Sequence, residues 1–171
     1  FLIQQKLYGR EHEITDLMNA FHRCAEGTKE LMLVSGYSGT GKSALVREVH
    51  KPITESRGYF IEGKFDQFQR AVPYYAVLQA FGEMINILLT EKQDILEAFR
   101  AKIQDAVGRE GKVLTDVIPQ LERILGPQPD VPDVGGAESQ NRFNYVFRKL
   151  VQALATKEHP LVLFIDDLQW A

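Results

Sequence analysis

Residues Gly36-Tyr37-Ser38-Gly39-Thr40-Gly41-Lys42-Ser43 satisfy the pattern G-x-x-x-x-G-K-[ST] at every fixed position. Each fixed position has a physical purpose. The glycines let the backbone curl so that successive N–H groups aim at one anion. A helix opening at the end of the loop adds the positive end of its dipole. Lys42 can reach the β- and γ-phosphates of a nucleotide, and the Ser43 hydroxyl can ligate magnesium. The phosphate-binding candidates are Gly36, Ser38, Gly39, Thr40, Gly41, Lys42, Ser43 and Ala44. The plainer alternative is a glycine-rich turn with an exposed lysine. Context weighs against it, because the motif follows a predicted strand and opens a predicted helix.

Leu161-Val162-Leu163-Phe164-Ile165-Asp166-Asp167 is an apolar run that ends in two acids. Beside a phosphate loop, an Asp at the end of such a strand holds magnesium, usually through water. Asp166 suits that role, with Ser43 as the second magnesium ligand. Asp167 could polarise an attacking water. It and Lys42 are the catalytic candidates. Asp is shorter than Glu, so a weak base and slow turnover are expected. The alternative is a strand followed by a solvated acidic turn. The complete phosphate loop upstream argues for the functional reading.

The elements that must position these residues are legible in outline. Ile14, Leu17, Met18, Phe21 and Ala25 recur at helical spacing and predict a helix over Glu11 to Glu26, with Gly27 as its stop. Leu31-Met32-Leu33-Val34 reads as a buried parallel strand leading into the loop. A helix follows from Lys42, and Pro52 marks its end. Gly58 to Phe65 is a second strand. Tyr74 to Thr90, Lys92 to Val107 and Lys112 to Leu125 read as helices, with Pro119 kinking or breaking the last. Gly126 to Gly136 is a loop. A further helix carries Phe143, Val146, Phe147, Leu150, Val151 and Leu154 as its apolar stripe. Leu161 to Ile165 is the third strand. The order helix, strand, helix, strand, helices, strand favours an α/β fold with a parallel sheet. The helical stretch of about 74–157 far exceeds what one βαβ crossover needs.

Composition bounds the class. The chain has 171 residues, 44% hydrophobic and 25% charged, which suits one globular domain with a sizeable core. A net charge of -3 gives no general attraction to nucleic acid or to an anionic membrane. The single cysteine, Cys24, cannot form an internal disulfide and reads as a helix residue; a reducing, cytoplasmic setting fits. No apolar run has the length of a membrane span. The first residues lack both an initiator Met and the order of a signal peptide, and the last follow directly on an apolar run, so both ends are expected to be cut from a longer chain. His12, His22, His50 and His159 show no zinc-site spacing. Phe65, Phe68, Tyr74 and Tyr75 form an aromatic cluster, by default core, and Trp170 is assigned to packing.

Taken together, Tyr8-Gly9-Arg10-Glu11, LMLVSGYSGTGKSALVREVH, GYFIEGKFDQFQRAVPYYA, ESQNRFNYVF and HPLVLFIDDLQWA resemble the AAA-like ATPase domain of the STAND class of signalling NTPases. The likeness is to the ATPase module of large bacterial multidomain kinases, where a Ser/Thr kinase domain precedes the module and sensor and histidine-kinase domains follow. It covers nearly the whole chain. The resemblance implies a P-loop NTPase fold: a parallel sheet flanked by helices, with a long helical insertion. It also implies a switch that binds ATP with magnesium, hydrolyses it slowly to ADP, and passes a signal to kinase and sensor domains of the same chain. Nucleic acid is not an expected partner, and oligomerisation is possible. Arg10 would lie near the adenine side. Lys64, Asp66, Gln67 and Arg70 read as a polar loop after the second strand and receive no role. In such domains a strand following the acid strand inserts between it and the phosphate-loop strand. This sequence stops first, so a C-terminally truncated domain is expected. Two other functions compete: a non-catalytic interaction module on a P-loop scaffold, and a GTPase.

Overall fold

A computed structural model of the chain describes residues 9–37, 39–66 and 74–170. The chain divides into two compact units, residues 1–60 with 156–164, and residues 61–155 with 165–171.

In the first unit, helix α1 spans Glu11–Ala25. Glu11 and Glu13 sit in its first turn and His22 and Arg23 in its last, each sign favourable to the helix dipole. Helix α2 spans Lys42–Glu55. The core is made by Phe21 of α1 with Val46, Val49 and Ile53 of α2 and Phe60, flanked by Ile14, Leu17, Met18, Val162 and Phe164. The helical spacing of the α1 residues is what places four of them on one face. Proline was expected to end α2, yet the helix continues three residues beyond Pro52. A proline in the last turn forfeits one hydrogen bond to the preceding turn. The adjacent Ile53, buried in the core, holds the helix past that loss.

Strand β1 spans Tyr59–Lys64 and β2 spans Leu161–Asp166, and the two pair as a two-stranded sheet. Tyr59 N–H donates to the Pro160 carbonyl at 2.8 Å and Phe65 N–H to the Asp166 carbonyl at 3.2 Å. The sequence offset is the same at both ends, which is the signature of a parallel pair.

The expected strand Leu31–Val34 does not form. The run is not part of the sheet, and Leu31 and Leu33 are 96% and 79% exposed. The physical reason is pairing. An extended run becomes a strand only when a neighbour takes up its N–H and C=O groups, and among the described residues the sheet holds β1 and β2 alone.

The second unit is mainly helical. It contains α3 (Tyr75–Leu88), α4 (Gln93–Val107), α5 (Gly111–Thr115), α6 (Glu122–Leu125) and α7 (Gly136–Leu154). The predicted helix over Lys112 to Leu125 is broken: α5 stops at Thr115, and Pro119 opens a 3-10 turn that leads into α6. Proline has no N–H to continue the earlier helix but fits a first turn. Phe81, Met84, Ile85, Leu88, Ile103, Leu114, Leu121, Leu150 and Leu154 are buried. Phe81 meets Phe147 edge-on at 4.9 Å. Gly63 of β1 lies so close to α3 that a Cβ would run into the Ala76 carbonyl. Among the described residues no helix is long and apolar enough to cross a membrane.

Candidate phosphate loop and acid pair

The loop turns on two glycines. Gly39 and Gly41 have φ of 81° and 84°, a left-handed conformation that L side chains rarely adopt. Gly41 is also the N-cap of α2. Lys42 is the first helical residue, and its ammonium donates to the carbonyls of Gly36 at 2.8 Å and Tyr37 at 3.0 Å. The Thr40 hydroxyl donates to the Tyr37 carbonyl at 2.8 Å. Gly36 packs closely on Thr40, whose Oγ1 would lie 2.9 Å from a Cβ there. Ser43 and Ala44 follow in the first turn of α2. Ser38 lies outside the described residues.

The charge at this helix end differs from that of α1. The first turn of α2 has no acidic side chain, whereas that of α1 has two. The outward-pointing N–H groups of a first turn and its dipole favour an anion. At α2 no carboxylate of the same turn supplies one.

A cavity of about 280 Å³ adjoins the loop, lined by Arg10, Glu13, Asp16 and Leu17 on one side and by residues 32–35, Thr40, Gly41, Lys42 and Leu45 on the other. Arg10, the N-cap of α1, donates to Glu13 Oε1 at 2.7 Å and approaches the Thr40 carbonyl at 3.5 Å. The Arg10 hydrogen bond holds the Glu13 carboxyl below the usual glutamate range. Folding thus brings Arg10 beside a loop thirty residues away in sequence.

Asp166 ends β2 and Asp167 follows it, both within the second unit. Asp167 has φ of 56°. Its N–H donates to Asp166 Oδ1 at 2.8 Å, and its carbonyl accepts from Trp170 N–H at 2.9 Å, inside the 3-10 turn Leu168–Trp170. Lys64 Nζ lies 3.1 Å from Asp167 Oδ2, and Gln169 Nε2 donates to Asp167 Oδ1 at 3.1 Å. The Asp167 carboxylate, as hydrogen-bond partner first and as charge second, raises the Lys64 ammonium above its ordinary value.

Lys64, to which the sequence pattern assigns no role, therefore contacts a candidate site residue. A signal was present: once the two strands are taken as parallel, their carboxyl ends must meet, and Lys64 ends β1. Gln67 and Arg70 lie outside the described residues, as does Phe68 of the aromatic cluster. Tyr74 of that cluster stacks on Phe143 with ring centroids 5.7 Å apart.

A family model of the AAA ATPase domain matches residues 6–171. The chain is similar to Hybrid signal transduction histidine kinase G of Dictyostelium discoideum, 36% identical over 169 residues that make up 99% of this chain and 5% of that protein. It is also similar to Histidine protein kinase 1 of Candida albicans, 19% identical over 182 residues, 98% of this chain and 7% of that protein. The chain thus spans a small fraction of either relative. No solved structure matches it.

Proposed function

Because the chain belongs to the AAA ATPase domain family, we propose that it is the ATP- and magnesium-binding part of a signalling switch ATPase with slow hydrolysis. The observation that carries this reading is the opening of α2. A turn on two left-handed glycines delivers Lys42 to a helix end whose first turn lacks an acid. Such an end fits a phosphate group. Gly36, Ser38, Gly39, Thr40, Gly41, Ser43 and Ala44 would surround the phosphates. Lys42 would leave the Gly36 and Tyr37 carbonyls to pair with the β- and γ-oxygens. Ser43 and Asp166 would hold magnesium, whose chemistry is to neutralise charge that develops on the transferred phosphate. Asp167 would accept a proton from the attacking water. Arg10, on the wall of the adjoining cavity, would lie by the adenine.

The wider role follows the same reading. Residues 36–43 act as phosphate loop and 161–167 as acid strand of a parallel-sheet P-loop fold, with about 74–157 as a helical insertion. The nucleotide state, ATP or ADP, changes how the module meets kinase and sensor domains of the same cytoplasmic chain. The name of the Dictyostelium relative supports this setting.

The test is calorimetric titration of ATP with magnesium into the chain and into Lys42→Ala, with GTP as competitor. Removing a charged partner of a phosphate costs on the order of 3 kcal/mol, so affinity should fall about 100-fold. Equal affinity in the two proteins would sink the proposal. A folded chain that binds no nucleotide would favour an interaction module instead, and stronger competition by GTP would favour a GTPase.

A further inference from the structure

Helix α7, with 19 residues, is the longest among the described residues. One side of it is accounted for. Val146, Leu150 and Leu154 are buried, and the helix packs on α4 and α5. The other side carries Tyr145, which is 51% exposed and is the most exposed aromatic of the second unit among the described residues. The Arg148 guanidinium and the Lys149 ammonium each lie 5.7 Å from the centre of its ring, within the range of a cation–π contact. Both reach the ring because residues three and four apart are neighbours on a helix surface. Between Ser139 and Leu154 there is no acidic residue. The one acid of α7, Glu138, stands about two turns before Tyr145. Arg10, Arg23, Lys51, Lys64 and Lys112 each meet a carboxylate. Among the described residues Arg148 and Lys149 meet none.

A guanidinium over a ring uses its face for that contact and keeps its edge N–H groups for a ligand. A carboxylate accepts from such an edge through two parallel bonds. Lys149 offers a second charge beside the same ring. Tyr and Arg are also the side chains that most often anchor an interface. Such a face favours a partner that brings carboxylates together with an apolar side chain. Magnitude separates this partner from other anions. A protein that binds nucleic acid neutralises about six to ten phosphates. A basic segment that binds anionic lipid carries about four to eight Lys or Arg. Here two cations are at hand, and Arg142 on the same helix already donates to the Pro132 carbonyl at 2.7 Å. Two charges suit a short acidic peptide. We propose that Tyr145, Arg148 and Lys149 form a docking face for an acidic peptide segment of a separate protein, in which carboxylates flank an apolar side chain seated on the Tyr145 ring.

The experiment screens the chain, without nucleotide, against a library of fluorescein-labelled peptides in which Asp or Glu flank one apolar or aromatic residue. The best binder is then titrated into variants by fluorescence anisotropy. Arg148→Gln/Lys149→Gln should weaken binding about ten- to thirty-fold, the loss of two charge-assisted contacts at a solvent-facing surface. Tyr145→Ala should weaken it about five-fold, and Tyr145→Phe, which keeps the ring, should stay within about two-fold of wild type. Lys29→Gln/Lys51→Gln makes the same change of net charge at exposed positions of the first unit and should leave binding unchanged. In wild type, the peptide should move the NMR amide signals of residues 141–152. The proposal falls if no acidic peptide binds, if the signals that move lie elsewhere, or if Gln in place of the peptide's acids binds equally. It falls equally if the control pair weakens binding as much as the α7 pair. Tighter binding of single-stranded DNA, lost in Arg148→Gln/Lys149→Gln, would overturn it in favour of nucleic acid. Self-association of the chain, lost in the same variant, would overturn it in favour of a second copy.

Discussion

Leu31–Val34 and Leu161–Ile165 are two short apolar runs, each leading into candidate site residues, and they fold differently. The second becomes β2, bonded to β1 and packed through Val162 and Phe164 on the core of the first unit. The first stays unpaired, with Leu31 and Leu33 in solvent. Both have the apolar composition of a buried parallel strand. What separates them is a partner. β2 lies beside a strand that accepts its backbone, and Leu31–Val34 has no such neighbour among the described residues. The glycine-rich loop of residues 36–43 therefore draws its shape from its own glycines and from α2 rather than from a strand behind it.

Substitutions in the two runs put that contrast to the test. The largest effect is expected from Phe164→Ala, which removes a ring packed on Phe21, Val46 and their neighbours. Full burial of a Phe is worth about 3–5 kcal/mol on truncation, and for this partly buried ring about 2 kcal/mol is expected in urea unfolding. Leu33→Ser should change stability by less than about 0.5 kcal/mol, as an exposed position does. A cost near that of Phe164→Ala would mean that Leu33 is buried in solution, and the contrast would collapse.

The smallest effect concerns what borders the unpaired run. Residues 32–35 share their cavity with Arg10 and Glu13. The Glu13 carboxyl titrates low because Arg10 donates to it. A depressed carboxyl favours the folded state above the ordinary glutamate range and loses that contribution as pH falls through its folded value. In Arg10→Ala, the Glu13 titration followed by NMR should move up toward the ordinary range. No movement would show that the pair does not persist in solution.

Much of the candidate loop's conformation is legible in the residues because its geometry is local. The positive φ of Gly39 and Gly41 is a property of a tight turn, and the start of α2 at Lys42 follows from the same turn. The faces of α1 and α7 were legible for a similar reason, since helical spacing alone brings Phe21 or Val146, Leu150 and Leu154 to one side. Pro119 was legible as a break because it lacks an N–H. Pro52 does not end α2, because the penalty of a proline depends on how much helix remains and what anchors it.

Residue order alone specifies the elements whose hydrogen bonds close within a few residues: the loop, the helices and the acidic end of an apolar run. It also specifies the family, whose model matches residues 6–171. Three outcomes waited for the folded chain: which apolar run would be a strand, that Arg10 would sit by Thr40, and that Lys64 would meet Asp167. Those outcomes depend on strand register and helix packing between distant residues. Side-chain type constrains such pairings weakly, and the free energy of the whole fold selects them.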